Sequence, residues 1–182
     1  MSYDKETENL DCRKIGGIMS EQSISEVRAI LAPYSTEKHV EQMKTFMQHG
    51  SVSTWQHALN VAFASYTIAK VLVAIGIEIE IAPLIIGAFL HDFYLYDWHT
   101  GRRRKEGIHC FIHPLVARKN ADQYFDLNDK VLNIIESHMF PTTLRHPPKS
   151  KEAMIVCVAD KYCAIREGLQ RKKGFTNHGK SI

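Results

Sequence analysis

Cysteine is scarce and unevenly placed: Cys12, Cys110, Cys157 and Cys163, none of them in a C-x-x-C pair. That excludes a disulfide framework and a zinc knuckle, and leaves each thiol to act as a small buried hydrophobe. Charge of one sign is missing too. With 23 Lys and Arg against 20 Asp and Glu, the net charge is only +3, too little for the global field that drives non-specific nucleic-acid binding. The most apolar stretch, IAPLIIGAFLHDF from Ile81 to Phe93, is too short to span a bilayer and ends in His and Asp. The first residues, MSYDKETENLDCRK, have no apolar core and so form no secretory signal. A reducing cytoplasm is the expected compartment. No period-2 alternation is long enough to compete with helix, and no internal repeat occurs.

What is present is otherwise average. Hydrophobic residues at 45% and charged residues at 24% over 182 positions fit a soluble globular chain, one domain able to bury roughly 70% of its unfolded surface. Histidine is the exception, at ten residues, several of them in apolar surroundings. Residues 1–19 read as a leader punctuated by Gly16-Gly17, residues 20–170 as an all-α single domain, and residues 171–182 as a basic tail.

Seven helices are expected. The first opens at Ser20 and stops near Pro33; the second spans STEKHVEQMKTFMQHG and ends at Gly50. A third, apolar on most faces and so placed in the core, runs from Ser53 or Thr54 to Gly76. The fourth covers Ile81 to Tyr94 and carries His91-Asp92 at its end, and a basic loop follows from Leu95 to Gly107. Pro114 fits the first position of a fifth helix, with His113 at its cap. A sixth starts after Asn128 and ends before Pro141; a seventh runs from Ser150 to Leu169.

Six residues stand at helix ends or on apolar helix faces: His57, the adjacent His91 and Asp92, His113, His138 and Asp160. Neutral imidazoles and carboxylates are ligands for divalent Mn, Fe, Co or Zn, and a carboxylate can bridge two ions. An ionised Asp160 flanked by IVCVA carries a large desolvation cost on an apolar face, which a dication removes. Bundles build metal sites in this way, from inward side chains on facing helices. Any one of these residues has a plainer reading as core or surface. Their joint occurrence is what argues for metal.

In order and type, these residues resemble the HD-domain superfamily of metal-dependent phosphohydrolases. The resemblance covers roughly residues 50 to 168: TWQHALNVA resembles the helix of the first histidine, AFLHDF the signature dyad, and VADKYCA the helix of the final aspartate. The two intervening histidines, one of them in His113-Pro114, resemble the six-ligand, two-metal branch. The resemblance implies a helical bundle in which His57, His91, Asp92 and Asp160 hold a first metal. Asp92 bridges to a second, completed by His113 and His138. The implied cofactors are two divalent transition-metal ions, Fe or Mn, with Zn, Co and Ni open. The implied activity is that of a phosphomonoesterase or phosphodiesterase on a nucleotide or other small phosphorylated substrate. A hydroxide bridging two metals about 3.5 to 4 Å apart would be its nucleophile.

Departures from the family's branches narrow the substrate. After His138 the sequence MFPTTLRHPP holds no second adjacent His and nothing like Gly-Tyr-Pro, which disfavours the cyclic-di-GMP phosphodiesterases. FYLYDWH after the dyad lacks the acidic pair of the (p)ppGpp hydrolases. Dinucleoside-tetraphosphate hydrolases share the size and the ligand set. Two other readings stay open: a mixed-valent diiron oxygenase similar to myo-inositol oxygenase, and a non-catalytic nucleotide-binding regulatory module.

Further candidates flank the ligands. Arg102, Arg103, Arg104 and Lys105 lie between Asp92 and His113 on a loop that could overhang the site and grip phosphate. His109 is a candidate general acid for the leaving group. Tyr94, Tyr96 and Trp98 could stack on a base, and Lys161 could meet a carboxylate or phosphate. The expected partner is a small phosphorylated or nucleotide substrate, without membrane or nucleic acid; homo-oligomerisation stays open.

Overall fold

The computed structural model describes residues 19–49, 51–100 and 107–177. The expected phosphate-gripping residues Arg102, Arg103, Arg104 and Lys105 therefore lie outside the described residues, as do positions 1–18 of the expected leader and the side chains of the expected tail.

Among the described residues the chain is helical, as expected, apart from one small hairpin. Helix α1 spans Glu21–Ser35, α2 Lys38–Glu41, α3 Thr54–Ala74, α4 Ile81–Leu90, α5 His109–Tyr124, α6 Asp129–Ser137 and α7 Lys151–Asn177. Strands β1 (Met47–His49) and β2 (Val52–Ser53) pair antiparallel just before α3. α3 packs against α4 and α7, α4 against α6, and α6 against both α5 and α7. The core runs through Phe63, Tyr66, Leu84, Ile85, Phe89 and Ile134, each nearly or wholly shielded from solvent. By length and composition α3 could cross a membrane, but more than half of its apolar window is buried inside the molecule.

Local chemistry sets the helix ends. Ser53 Oγ accepts the Gln56 N–H at 3.2 Å to start α3. At the other end Gly76, at φ +88, lets its own N–H reach the Val73 carbonyl and that of Ile77 reach Leu72, a glycine-dependent C-cap. Asn128 caps α6 through the Val131 N–H at 2.9 Å. These starts and stops agree with the sequence reading.

Four boundaries differ. The second expected helix breaks after one turn. Glu37 caps α2 by accepting the N–H groups of His39 and Val40. A 3-10 turn, Gln42–Thr45, follows. The Phe46 carbonyl then accepts the Thr54 N–H and hydroxyl at 2.8 and 3.2 Å, and this draws the chain into the β1–β2 hairpin. α4 ends at Leu90, four residues early, because Asp92 accepts the Tyr94 N–H in a tight turn and Leu95 takes φ +56.

α5 begins at His109, so Pro114 lies in its second turn rather than at its first position. The Ile108 carbonyl accepts from Phe111 and Ile112 and winds the helix before the proline is reached. So near a helix start, Pro114 removes only one intrahelical bond. α7 continues past Leu169 to Asn177. An isolated glycine such as Gly168 or Gly174 costs about 1 kcal/mol and does not stop a long anchored helix.

Candidate metal centre

Five helices and one turn deliver the six expected residues to one place. His57 comes from the first turn of α3, His91 is the C-cap of α4 with Asp92 next to it, and His113 comes from α5. His138 is the C-cap of α6, and Asp160 lies midway along α7. His91 and His138 leave their helices alike, at φ −58 in both cases, so each imidazole hangs over the end of its helix. All six are between 0% and 8% exposed.

Ring orientation is the informative feature. Each of the four imidazoles commits Nδ1 to an acceptor that cannot donate. The Nδ1–H of His91 goes to the Ala88 carbonyl at 2.7 Å, that of His113 to the His109 carbonyl at 2.9 Å, and that of His138 to the Ile135 carbonyl at 2.7 Å. His57 Nδ1–H meets the Glu167 carboxylate at 2.9 Å. In the neutral ring each Nε2 is then a bare lone pair, and all four point at the carboxylates of Asp92 and Asp160.

Asp92 divides the Nε2 atoms into two sets. Its Oδ2 lies 3.3 Å from His91 and 3.9 Å from His57, while its Oδ1 lies 3.3 Å from His113 and 3.7 Å from His138. Asp160 Oδ1 completes the first set, at 3.1 Å from His57 and 3.7 Å from His91. Lone pairs facing carboxylate oxygens, and the His113 and His138 Nε2 atoms 2.8 Å apart, are repulsive unless a positive charge lies between them. His91 Nε2 and Asp92 Oδ1 are buried without any hydrogen-bond partner, an arrangement a folded protein rarely keeps without reason. Ligand atoms about 2.1 Å from a common ion sit about 3.0 to 3.4 Å apart. The residues present fit divalent metal.

Electrostatics show the same strain. Burial works against the charged form of His57, yet the carboxylates of Asp160 and Glu167 outweigh it and hold its pKa up at about 10. His138 goes the other way: burial, then the neighbouring His91 and His113, push it down to about 3. Burial alone would raise Asp92, but His91 and His113 keep it well below the ordinary carboxylate range. The site is a negative centre surrounded by imidazoles.

Sequence reasoning missed two supporting residues. Gln48 of β1 donates from Nε2 to Asp92 Oδ2 at 2.6 Å, and its Oε1 accepts the Tyr94 hydroxyl, which also meets Thr54 Oγ1 at 3.2 Å. Nothing in the local sequence ties Gln48 to a residue 44 positions on. Glu167 could have been found: it lies seven residues past Asp160, two turns along the same apolar face of α7.

The flanking candidates resolve differently. His109 accepts or donates at the Tyr96 hydroxyl through Nδ1, 2.9 Å away, and is stacked between Trp98 and His113, at 5.0 and 4.5 Å between ring centres. Burial, then the adjacent His113, lowers its pKa to about 4. It therefore sits beside His113 and His138. Tyr94 and Tyr96 are buried, and Trp98 stacks with both His99 and His109, so these rings anchor the turn after Asp92. Lys161 donates to the His138 and Cys157 carbonyls at 3.0 and 3.2 Å, fastening the end of α6 to α7.

A bundle whose separate helices converge two carboxylates and four imidazoles on one buried centre belongs to the class of helical metal-binding domains. The sequence profile of the HD domain matches residues 54–165, more than half of the chain. The chain belongs to the HD domain family, a superfamily of metal-dependent phosphohydrolases whose members bind divalent metals. Neither the curated proteins nor the solved structures contain a match to it.

Proposed function

We propose that this chain is a phosphomonoesterase or phosphodiesterase acting on a nucleotide or other small phosphorylated molecule, with two divalent ions, Fe or Mn, held by His57, His91, Asp92 and Asp160 and by Asp92, His113 and His138. The observation that carries the reading is the splitting of Asp92. Its two carboxylate oxygens face two separate sets of bare Nε2 atoms, 3.3 to 3.9 Å away. When bound, such a pair of ions lowers the pKa of water and neutralises phosphoryl oxygens during in-line displacement.

The chain's own residues do the rest. Gln48 and Tyr94 hold the Asp92 carboxylate in one orientation. The carbonyls of Ala88, His109 and Ile135 hold three imidazoles in the tautomer that leaves Nε2 free. Apolar neighbours such as Phe89, Leu90 and Val156 exclude bulk water from behind the site, which strengthens every charge inside it. His109, against His113, is the nearest described candidate to protonate a leaving group, a role that requires the charge of bound phosphate to lift its pKa back from about 4.

The test is turnover of p-nitrophenyl phosphate, bis-p-nitrophenyl phosphate and a nucleotide panel by protein reloaded with Mn or Fe. Hydrolysis lost at least about 1,000-fold in Asp92→Ala, as expected for removal of a group central to charge stabilisation, supports the proposal. A folded, fully metallated chain that leaves the whole panel intact overturns it. Oxygen consumption by the iron form would then point to the oxygenase chemistry that the same ligand set serves.

A further inference from the structure

The four imidazoles are not oriented alike. His91, His113 and His138 each give Nδ1–H to a backbone carbonyl three or four residues back in the chain, a local bond to a neutral acceptor. His57 alone gives it to a carboxylate, that of Glu167, 110 residues away and 5% exposed. Helix α7 thereby places a carboxylate at each end of one ring: Asp160 Oδ1 at 3.1 Å from Nε2 and Glu167 Oε2 at 2.9 Å from Nδ1.

Glu167 is itself fixed from α3. Its Oε1 accepts Asn60 Nδ2–H at 2.8 Å, and Asn60 Oδ1 accepts Gln56 Nε2–H at 2.9 Å. Gln56, His57 and Asn60 belong to successive turns of one helix, so carboxylate, ring and anchor move as a unit.

We propose that Glu167 is a positioning residue for the metal centre, whose charge makes His57 the strongest imidazole donor and so makes the set of His57, His91, Asp92 and Asp160 fill before the set of Asp92, His113 and His138. A carboxylate that accepts Nδ1–H increases electron density at Nε2, where the ion binds, more than a neutral carbonyl does. It also locks the tautomer that leaves Nε2 free. The inference rests on the two-set reading of the site, but its consequence is an order of metal binding and is independent of which bond is cleaved.

The test uses the full chain, stripped by chelator and titrated with Co(II) against a chromogenic competitor, with the Co(II) ligand-field spectrum recorded at each equivalent. Glu167→Gln keeps shape and acceptor but loses charge; Glu167→Ala loses both. The expected result is an affinity for the first equivalent lowered about 10-fold in the Gln variant and about 100-fold in the Ala variant, within the usual range for such outer partners. The second equivalent should change less than about 3-fold. In the Zn(II) form, a downfield His57 Nδ1–H resonance should be present in the parent and lost in Glu167→Ala. Equal affinities and spectra in parent and Gln variant overturn the proposal, as does equal weakening of both equivalents. If Glu167→Ala fails to fold, the Gln variant carries the test alone. Should the parent bind no Co(II), the metal-centre reading fails first, an outcome distinct from failure of Glu167.

Discussion

Gln48 shows what a single residue can contribute unseen. It stands in a stretch read as the end of a helix, and only the hairpin brings its amide to Asp92 Oδ2 and to the Tyr94 hydroxyl. Gln48→Leu removes a donor to the carboxylate oxygen shared with His57 and His91, and frees Asp92 to rotate. Metal affinity or turnover should fall about 10- to 100-fold, while the unfolding free energy changes by about 1 kcal/mol, since Tyr94 keeps Thr54 as a partner. Competition titration and urea unfolding measure the two separately. Unchanged affinity and turnover would mean that the six ligands orient themselves. The six residues that could hold metal stood out in the sequence because polar groups on apolar faces are conspicuous. Their supports did not, since a glutamine in a short amphipathic segment carries no signal until its partner is known.

At the level of elements, one close approach sets the distance between two of the candidate ligands. A Cβ built on Gly87 would lie 2.6 Å from Ile134 Cγ2 and 2.8 Å from its Cβ, so α4 and α6 touch there through glycine. His91 and His138 each lie one turn further along those helices, and their rings meet edge to face at 4.8 Å. Gly87→Ala must push against a β-branched side chain, and overpacking of this kind costs about 1 to 3 kcal/mol. Because Ile134→Ala removes Cγ2 and Cδ1 from that space and leaves only the Cβ at 2.8 Å, the double variant should recover part of the cost, about 1 kcal/mol, relative to the sum of the singles. Chemical denaturation of the four proteins measures the coupling, and strict additivity would sink the account. Periodicity and capping residues foretold most helices. They misplaced the start of α5 because the rule that puts proline in the first turn ignores a helix already wound by the Ile108 carbonyl. They missed the β1–β2 hairpin because its pairing depends on Phe46 and Thr54, not on a local pattern.

For the molecule as a whole, the consequence is that the polar centre and the hydrophobic core are one structure. His57, His91 and His138 are packed among the aromatic and aliphatic residues that close the bundle, and α3, α4, α6 and α7 meet around them. Bringing carboxylates and lone pairs together in such a place opposes folding; imidazole protons such as that on His57 offset part of it, and a cation that binds the folded arrangement offsets more. Stability should therefore depend on free metal. At about 100 times the dissociation constant, one ion that binds only the native state adds about 2.7 kcal/mol. For a chain of this length that is a rise in melting temperature of about 5 to 10 °C over chelator-treated protein. Asp92 contributes an oxygen to each ligand set, so Asp92→Ala should abolish most of the rise, whereas Gln48→Leu should only move it to higher metal concentration. Calorimetry with Mn(II) or Zn(II) and with chelator distinguishes the cases. If parent and Asp92→Ala gain equally from metal, the stabilising ion binds elsewhere, and the buried charges at the bundle's centre are balanced by the protein's own protons.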